Sequence, residues 1–202
     1  MRKLALIILA LTCLCACRHD TAASIFPANC RLQPGDVVFR KGNGTTSHIV
    51  MFADNGGAYS HVGIAVDSAG TMMIVHAVPG EPDFKGDPDR VKMETPEKFF
   101  SSVNATCGEV RRLKGDTAAA RRAALYAMKV YRRGTLFDHD YDDTDTTKMY
   151  CCELVEAAYI STGITLTGGR RHNLSFPGME IGHCIMPSDI LTSPELVKIS
   201  SF

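Results

Sequence analysis

The feature that most constrains the fold is a pair of apolar segments separated by a short polar turn. The segments SHVGIAV (60–66) and MMIVHAV (72–78) are rich in β-branched residues, and DSAGT between them is typical of a tight turn. They predict a β-hairpin. If the turn is centred directly after Ser68, His61 and His76 are cross-strand neighbours on one face, with Cβ atoms about 4.5–5.5 Å apart. Each histidine alone is a weak catalytic candidate, whereas the facing pair is a strong one.

The segments on either side of the hairpin alternate between strand and helix patterns. Thr95 followed by proline is typical of a helix start, because threonine caps the first turn and proline fits the first helical position. Asp116 begins a longer helix, which Gly134 ends. Together with the hairpin, these patterns predict an α+β fold. We expect strands at 34–40 and 107–113, helices starting near Pro96, Asp116 and Cys151, and loops that wall the site at 41–59, 79–92 and 168–183.

The composition suits one globular domain. The chain has 202 residues, of which 45% are hydrophobic, and this is enough for a core of its own. Its 22 basic side chains balance its 22 acidic ones. Net charge therefore gives no argument for a nucleic-acid partner.

The first 20 residues, MRKLALIILALTCLCACRHD, are typical of a secretory leader. Two basic residues precede an apolar stretch, Leu4–Leu14, which is too short to span a bilayer comfortably. The stretch ends in Leu-Cys-Ala-Cys, which resembles the lipobox of bacterial lipoproteins with Cys17 as the lipidated residue. An ordinary cleaved signal is the alternative. In both cases the mature protein works outside the cytoplasm, in the periplasm or at the cell surface.

These observations predict the domain organisation. We expect a lipoprotein signal peptide at 1–16, a tether at 17–30 and one folded domain at 31–202. A lipid on Cys17 would anchor the domain to a membrane, since the tether is short.

The cysteines of the mature domain are Cys30, Cys107, Cys151, Cys152 and Cys184. Their number is odd, so at least one thiol stays unpaired in an oxidising compartment. A disulfide from Cys30 to Cys107 or to Cys184 remains open. Pairing of Cys151 with Cys152 would strain the backbone and is not expected.

The vicinal cysteines stand at the predicted start of a helix, in MYCCELVEAAY. Cys151 shares an apolar stripe with Leu154 and Ala158, so we expect it to face inward onto the sheet. Cys152 lies about 100° around the helix, on the side of Glu156, whose charge disfavours a thiolate. Unpaired N–H groups at a helix start stabilise a thiolate, so Cys151 is the predicted nucleophile. A nearby histidine would serve as its base.

Several segments in this order carry a family resemblance: LQPGDVVFR, SHVGIAV, MIVHA, FDHDY, YCCELVEAAY and MPSDI, covering about residues 32–192. The chain resembles the NlpC/P60 superfamily of papain-like cysteine hydrolases. The order of histidine before cysteine resembles its circularly permuted, YiiX/YebB-like group. The chain departs from the group's usual Cys-Ser-Glu-Leu in having Cys152, and from its frequent carboxylate in having His76. The resemblance implies a papain-like fold of permuted topology, with an antiparallel sheet or half-barrel packed against helices.

The resemblance also implies roles for single residues. Cys151 would attack an amide or ester carbonyl, and His61 would activate it and later protonate the leaving group. His76 would hold the imidazole of His61 in its productive orientation. The backbone N–H of Cys151 would be one oxyanion donor. No cofactor and no metal enter this chemistry.

Two substrate classes follow from the resemblance. Ordinary members of the superfamily cleave peptide bonds in peptidoglycan, and permuted relatives include enzymes that act on acyl groups of lipids. We expect a cysteine hydrolase of the amidase or peptidase kind that cleaves an amide bond in a cell-envelope peptide through a thioester. Hydrolysis or transfer on an acyl lipid is one alternative, and a catalytically silent binding lipoprotein is another.

A metal-binding function is less well supported by the sequence than a cysteine hydrolase. His48, His61, His76 and the cysteines lack the C-x-x-C and H-x-x-x-H spacings of zinc sites. A D-x-D-x-D run begins at Asp138, but the positions where an EF-hand loop needs glycine and glutamate hold aspartate and methionine. A solvated acidic loop is the better interpretation of that run.

Overall fold

The computed structural model describes residues 22–141, 145, 147–176 and 179–202. The predicted signal peptide and Cys17 therefore lie outside the described residues. Within the described part of the chain, no helix is both long enough and apolar enough to cross a membrane.

An eight-stranded sheet forms the centre of the fold. Its strand order is β10-β5-β1-β2-β3-β4-β6-β7, and all neighbours are antiparallel except β6 and β7. A separate hairpin pairs β8 with β9. The strands are β1 (Val37–Lys41), β2 (His61–Ser68), β3 (Thr71–Val78), β4 (Arg90–Glu94), β5 (Cys107–Leu113), β6 (Leu136–Phe137), β7 (Lys148–Met149), β8 (His172–Phe176), β9 (Met179–Cys184) and β10 (Leu196–Ser201).

Two long helices cover one face of this sheet, and the predicted α+β fold is confirmed. Strand β1 shows the alternation, because Val37 and Phe39 face the helices whereas Val38 belongs to a second cluster with Phe99 and Phe100 on the other face. The helices are α1 (Thr45–Ala53), α2 (Pro96–Phe99), α3 (Thr117–Arg132), α4 (Cys151–Ile160) and α5 (Pro187–Leu191), of which α3 and α4 are the two on the sheet.

The predicted helix starts are present with their caps. The side chain of Thr95 accepts from the N–H of Lys98 at 3.2 Å, and that of Asp116 accepts from the N–H of Ala119 at 2.8 Å. Each cap satisfies one backbone N–H group that the first turn leaves unpaired. Both helices therefore begin where the sequence pattern places them.

The predicted register of the β2–β3 hairpin is wrong by two residues. Ser68 pairs with Thr71, and the two residues between them have positive φ, +54° at Ala69 and +84° at Gly70. This is a two-residue turn of the kind that matches strand twist, centred one residue later than expected. Continued along the strands, this register puts Gly63 opposite His76.

The register error leaves both histidines on the same face, since side chains alternate with a period of two. His61 and His76 are therefore diagonal rather than direct neighbours. Gly63 provides the room, because a Cβ atom there would lie 3.2 Å from the Cβ atom of His76 and 2.8 Å from Cγ2 of Ile74. The absence of that side chain leaves space for the imidazole of His76 to lean toward His61.

Two predicted loops contain regular structure. The 41–59 segment holds helix α1, and the 168–183 segment holds most of the β8–β9 hairpin. Helix α1 begins after Gly44 without a side-chain cap, so the usual start signal is missing from its sequence. Part of the predicted tether also packs on the domain, where the ring of Phe26 stacks on that of Phe100 with centroids 5.5 Å apart.

Candidate active site

Cys151 is the first residue of α4, and α4 packs against strands β2 and β3. The carboxylate of Glu153 accepts from the backbone N–H of Tyr150 at 3.3 Å, which fixes the entry into the helix. The hydroxyl of Tyr150 accepts from the backbone N–H of Ile185 at 2.8 Å. The helix start is thus held on two sides, and the Cys151 side chain is partly exposed beside the hairpin.

Three neighbouring strands supply a line of hydrogen-bonded side chains that leads away from Cys151. Nε2 of His61, at the start of β2, lies 2.9 Å from Nδ1 of His76 on β3. Nε2 of His76 lies 3.2 Å from Oε2 of Glu94, the last residue of β4. All three side chains are buried. The structure therefore brings together the predicted Cys151, His61 and His76 and adds Glu94.

The carboxylate at the end of this line sets the protonation of both rings. An ionised carboxylate only accepts, so Nε2–H of His76 donates to Glu94 and Nδ1 of His76 is left as an acceptor. His61 then donates its Nε2–H to His76. The remaining nitrogen of His61, Nδ1, is an acceptor free to bond the Cys151 thiol, with which His61 is in hydrogen-bonding contact.

Burial keeps both imidazoles neutral at physiological pH. It lowers the pKa of His61 to about 4, with the charge of Arg40 acting in the same direction and Cys151 opposing it. Burial also lowers the pKa of His76 to about 4, against the effect of Glu94. A neutral His61 is ready to accept a proton, and its conjugate acid is a strong donor toward a leaving group.

Glu94 stays ionised because its charged neighbours outweigh its burial. Burial raises the pKa of Glu94, but the hydrogen bond from His76 and the ammonium groups of Lys98 and Lys92 bring it well below its usual range. Oε1 of Glu94 lies 3.0 Å from Nζ of Lys98 and 3.2 Å from Nζ of Lys92. Sequence reasoning missed Glu94, although it stands directly before the recognised helix cap Thr95.

Phe99 holds both imidazoles in place. Its ring centroid lies 5.6 Å from that of His61 and 5.0 Å from that of His76. The guanidinium of Arg40 lies over the Phe99 ring, with Cζ 4.7 Å from the ring centroid. Its Nη1–H donates to the Phe99 carbonyl at 2.8 Å. Arg40 is in turn paired with Glu81. These contacts restrict rotation of the rings and exclude water from them.

The two cysteines differ in surroundings as well as exposure. The Cys152 thiol, followed by His61 and the backbone N–H of Val62, holds the pKa of Cys151 well below its usual range, although burial opposes them. Burial, followed by Cys151 and the carboxylates of Asp54 and Asp189, raises the pKa of Cys152. The predicted order of ionisation therefore agrees with the structure.

The surroundings predicted for Cys152 need correction, whereas Cys151 does contact His61 on the sheet. Cys151 is partly exposed, whereas Cys152 is the buried one, at 1% exposure. Helix α4 is buried on several sides, so a single apolar stripe does not identify its inner face. Glu156 is not what disfavours a Cys152 thiolate, because its carboxylate accepts from the Thr165 hydroxyl at 2.6 Å and the Leu166 N–H at 3.0 Å.

A cavity of about 940 Å³ opens directly beside Cys151 and His61. Helix α1 forms one wall, so the predicted 41–59 segment does border the site, and Pro79–Glu81 border it as well. The lining is mostly apolar, and Ile49 and Phe52 of α1 remain 53% and 79% exposed. Further apolar or aromatic lining residues are Val50, Ala53, Ala77, Val78, Phe137, Tyr141, Tyr150, Ile185, Met186 and Pro187.

Disulfides and metal sites were both considered in the sequence analysis, and the described residues can be compared with those expectations. Over the described ranges, none of Cys30, Cys107, Cys151, Cys152 and Cys184 forms a disulfide. No group of three or more His, Cys, Asp or Glu side chains in the part of the chain that the structure describes could hold a metal ion. The predicted acidic run extends past Tyr141 into positions outside the described residues.

Comparison with solved structures finds the same fold in YiiX from Escherichia coli O157:H7, which is described as a metalloprotein. The two chains are 19% identical and superpose with a TM-score of 0.68, over 84% of this chain and 97% of the other. No match was found among curated proteins.

The family assignment comes from a sequence profile. The profile that matches is described as the permuted papain-like amidase enzyme, YaeF/YiiX, C92 family, and it spans residues 31–199. That span includes Cys151, His61, His76 and Glu94. The chain belongs to the permuted papain-like amidase family.

Proposed function

We propose that this protein is a cysteine hydrolase that cleaves an amide bond with Cys151 as nucleophile, His61 as base and acid, and His76 as the orienting residue. The observation that carries the proposal is the continuous line from Cys151 through both imidazoles to Glu94. A purely structural histidine pair would not need a reactive thiol at one end and an ionised carboxylate at the other.

Acylation follows from this arrangement. Nδ1 of His61 takes the thiol proton, and the Cys151 sulfur attacks the carbonyl carbon. The imidazolium is stabilised by its hydrogen bond to His76, which Glu94 polarises in turn. Cys151 is the first residue of α4, so its N–H has no partner within the helix and is placed to donate to the oxyanion.

Collapse of the tetrahedral intermediate breaks the carbon–nitrogen bond. His61 gives its proton to the leaving amine, and the acyl group remains on Cys151 as a thioester. Water then loses a proton to His61 and attacks the thioester, which breaks the carbon–sulfur bond and restores the thiol. A hydroxyl or amine acceptor in place of water would make the same site a transferase.

The leader supports an envelope location for this activity. We place the protein among the NlpC/P60-like enzymes, as a lipoprotein tethered outside the cytoplasm through Cys17. Metabolic labelling with a fatty-acid analogue should mark the wild type but not Cys17→Ala. Equal labelling of both proteins would contradict the tether.

The first substrate candidate is an amide in a cell-envelope peptide. A second candidate, an acyl lipid, is favoured by one specific observation: the cavity beside Cys151 is lined mostly by apolar side chains, and Phe52 at its rim is exposed. Burying apolar atoms of a substrate there gives about 25 cal/mol per Å² of area removed from water. A charged peptide of the cell envelope would gain little binding free energy from an apolar cavity lining.

The experiment is a product search on both classes. Purified protein is incubated with peptidoglycan fragments and with phospholipid or N-acyl amides, and released products are identified by mass spectrometry. Cys151→Ala serves as the inactive control and Cys107→Ser as the matched thiol control, since Cys107 lies on β5 away from the cavity lining. Turnover by Cys151→Ala at the wild-type rate would refute the proposal.

A further inference from the structure

The two vicinal thiols are close enough to interact directly. The Sγ atoms of Cys151 and Cys152 lie 3.9 Å apart, within reach of an S–H···S hydrogen bond. Both cysteines border the cavity, but Cys152 is almost entirely buried, at 1% exposure, whereas Cys151 is partly exposed. Cys151 is therefore the more accessible of the two thiols.

A disulfide is not the use of this pair. Consecutive Cα atoms lie about 3.8 Å apart, which is shorter than the separation that disulfides normally span. Both residues are also in the first turn of α4, and the side chains of consecutive helical residues point about 100° apart around the helix axis. A hydrogen bond needs none of the distortion that a bond between the sulfurs would require.

The charges around the pair decide which sulfur donates. Burial raises the pKa of Cys152, and the carboxylates of Asp54, at the end of α1, and Asp189, on α5, act in the same direction. These neighbours oppose a negative charge on Cys152.

Cys151 has the opposite environment. The backbone N–H of Val62 and the imidazole of His61 act on its sulfur. Once Nδ1 of His61 has taken the thiol proton, the imidazolium and the Val62 N–H both stabilise a negative charge on Cys151. The N-terminal end of α4 adds the positive end of the helix dipole. A thiolate therefore forms on Cys151 while Cys152 keeps its proton.

We propose that Cys152 is a positioning residue whose thiol donates a hydrogen bond to the Cys151 thiolate, and so selects Cys151 as the nucleophile and fixes its sulfur. The proposal rests on the proposed function in one respect, that Cys151 is the attacking group. It adds a role that serine would also fill at this position, because a hydroxyl is a donor of similar reach. Alanine has no donor.

The test measures alkylation of Cys151 rather than turnover. Iodoacetamide labelling rates at Cys151 are followed by peptide mapping over a range from about pH 4 to about pH 9, which spans the thiol titration. Four proteins are compared: the wild type, Cys152→Ala, Cys152→Ser and the control Cys107→Ser. Thermal unfolding of each variant is recorded in parallel.

The expected result is a shift of the Cys152→Ala midpoint to higher pH by about one unit, which is a tenfold slower reaction at pH values below both midpoints. Cys152→Ser and Cys107→Ser should follow the wild-type profile. Overlap of Cys152→Ala with the wild type would overturn the proposal. An equal shift in Cys152→Ser would overturn it too, since packing rather than donation would then be responsible.

A second measurement covers the case in which Cys152→Ala does not fold. In Cys151→Ser, the thiolate absorbance of Cys152 should stay absent until well above the normal titration range of a thiol. Early ionisation of Cys152 in that variant would overturn the proposal. Failure of the proposed function gives a different pattern, in which Cys151 of the wild type is not the preferentially alkylated residue.

Discussion

Replacing Glu94 by glutamine isolates the contribution of the charge at the end of the hydrogen-bonded line. The substitution keeps the size of the side chain, and Oε1 of the amide can still accept from Nε2–H of His76, now 3.2 Å from Oε2 of Glu94. It removes the negative charge that stabilises an imidazolium at His61 through His76. The hydrogen bond to His76 is preserved, whereas the negative charge and the ion pairs with Lys98 and Lys92 are lost.

The size of the effect follows from the bonds involved. A hydrogen bond to a charged group contributes about 1.5–3 kcal/mol and a neutral one about 0.5–1.5 kcal/mol. Losing the charge therefore costs about 1.4 kcal/mol in the acylation transition state, which corresponds to a roughly tenfold lower kcat. Lys92 keeps a partner, because its Nζ lies 3.1 Å from Oδ1 of Asp83, so we expect the variant to fold.

The assay is the pH dependence of kcat and kcat/KM on any amide that the wild type turns over, together with thermal unfolding. Glu97→Gln is the matched control, since Glu97 is exposed on the neighbouring helix α2. Wild-type kcat in Glu94→Gln would refute the electrostatic role. A loss as complete as that of Cys151→Ala, in a folded variant, would also refute the reasoning, because it would require direct contact with the reacting atoms.

Three further predictions concern the histidines and the cavity wall. His76→Ala should lower activity less than His61→Ala, because an orienting group is partly replaceable and the base is not; equal losses in steady-state kinetics would reverse the assignment. The folded pKa values of both histidines, about 4, lie below the unfolded value, so the stabilisation is present above about pH 6.5 and is lost as pH falls toward 4. Thermal unfolding should show this fall, and a folded His76→Gln should show a smaller one; identical curves would contradict the assigned burial effect. Phe52→Ser should reduce kcat/KM for long-chain acyl substrates but not for short ones, and no chain-length difference between it and the wild type would argue against the acyl candidate.

The sequence predicted which side chains come together more accurately than it predicted their register. Period-two alternation places His61 and His76 on one face in either register, so their proximity survived a turn centred one residue away from the expected position. The sequence did not indicate the actual turn, because Ala69 takes a positive φ, a conformation that alanine rarely adopts. Strand alternation is a strong signal, whereas turn register depends on one or two backbone angles.

The features that the sequence concealed depend on tertiary contacts. No sequence pattern identified Glu94, and only the pairing of β4 with β3 brings it to His76. Helix α1 carries no acidic residue in its first turn and no basic residue in its last turn, so the usual signals of helix ends are missing. Cys152 was expected to differ from Cys151 through Glu156, but burial and two carboxylates from other elements are responsible.

The central claim is that Cys151 carries the acyl group, and trapping that intermediate tests it most directly. A turned-over amide substrate is mixed with the wild type, the reaction is quenched in acid, and the peptide that contains the two cysteines is analysed by tandem mass spectrometry. We expect the acyl adduct on Cys151 in the wild type and in Cys152→Ser, and no acyl adduct in Cys151→Ala. An acyl group on Cys152, or continued hydrolysis by Cys151→Ala without any acylated peptide, would contradict it.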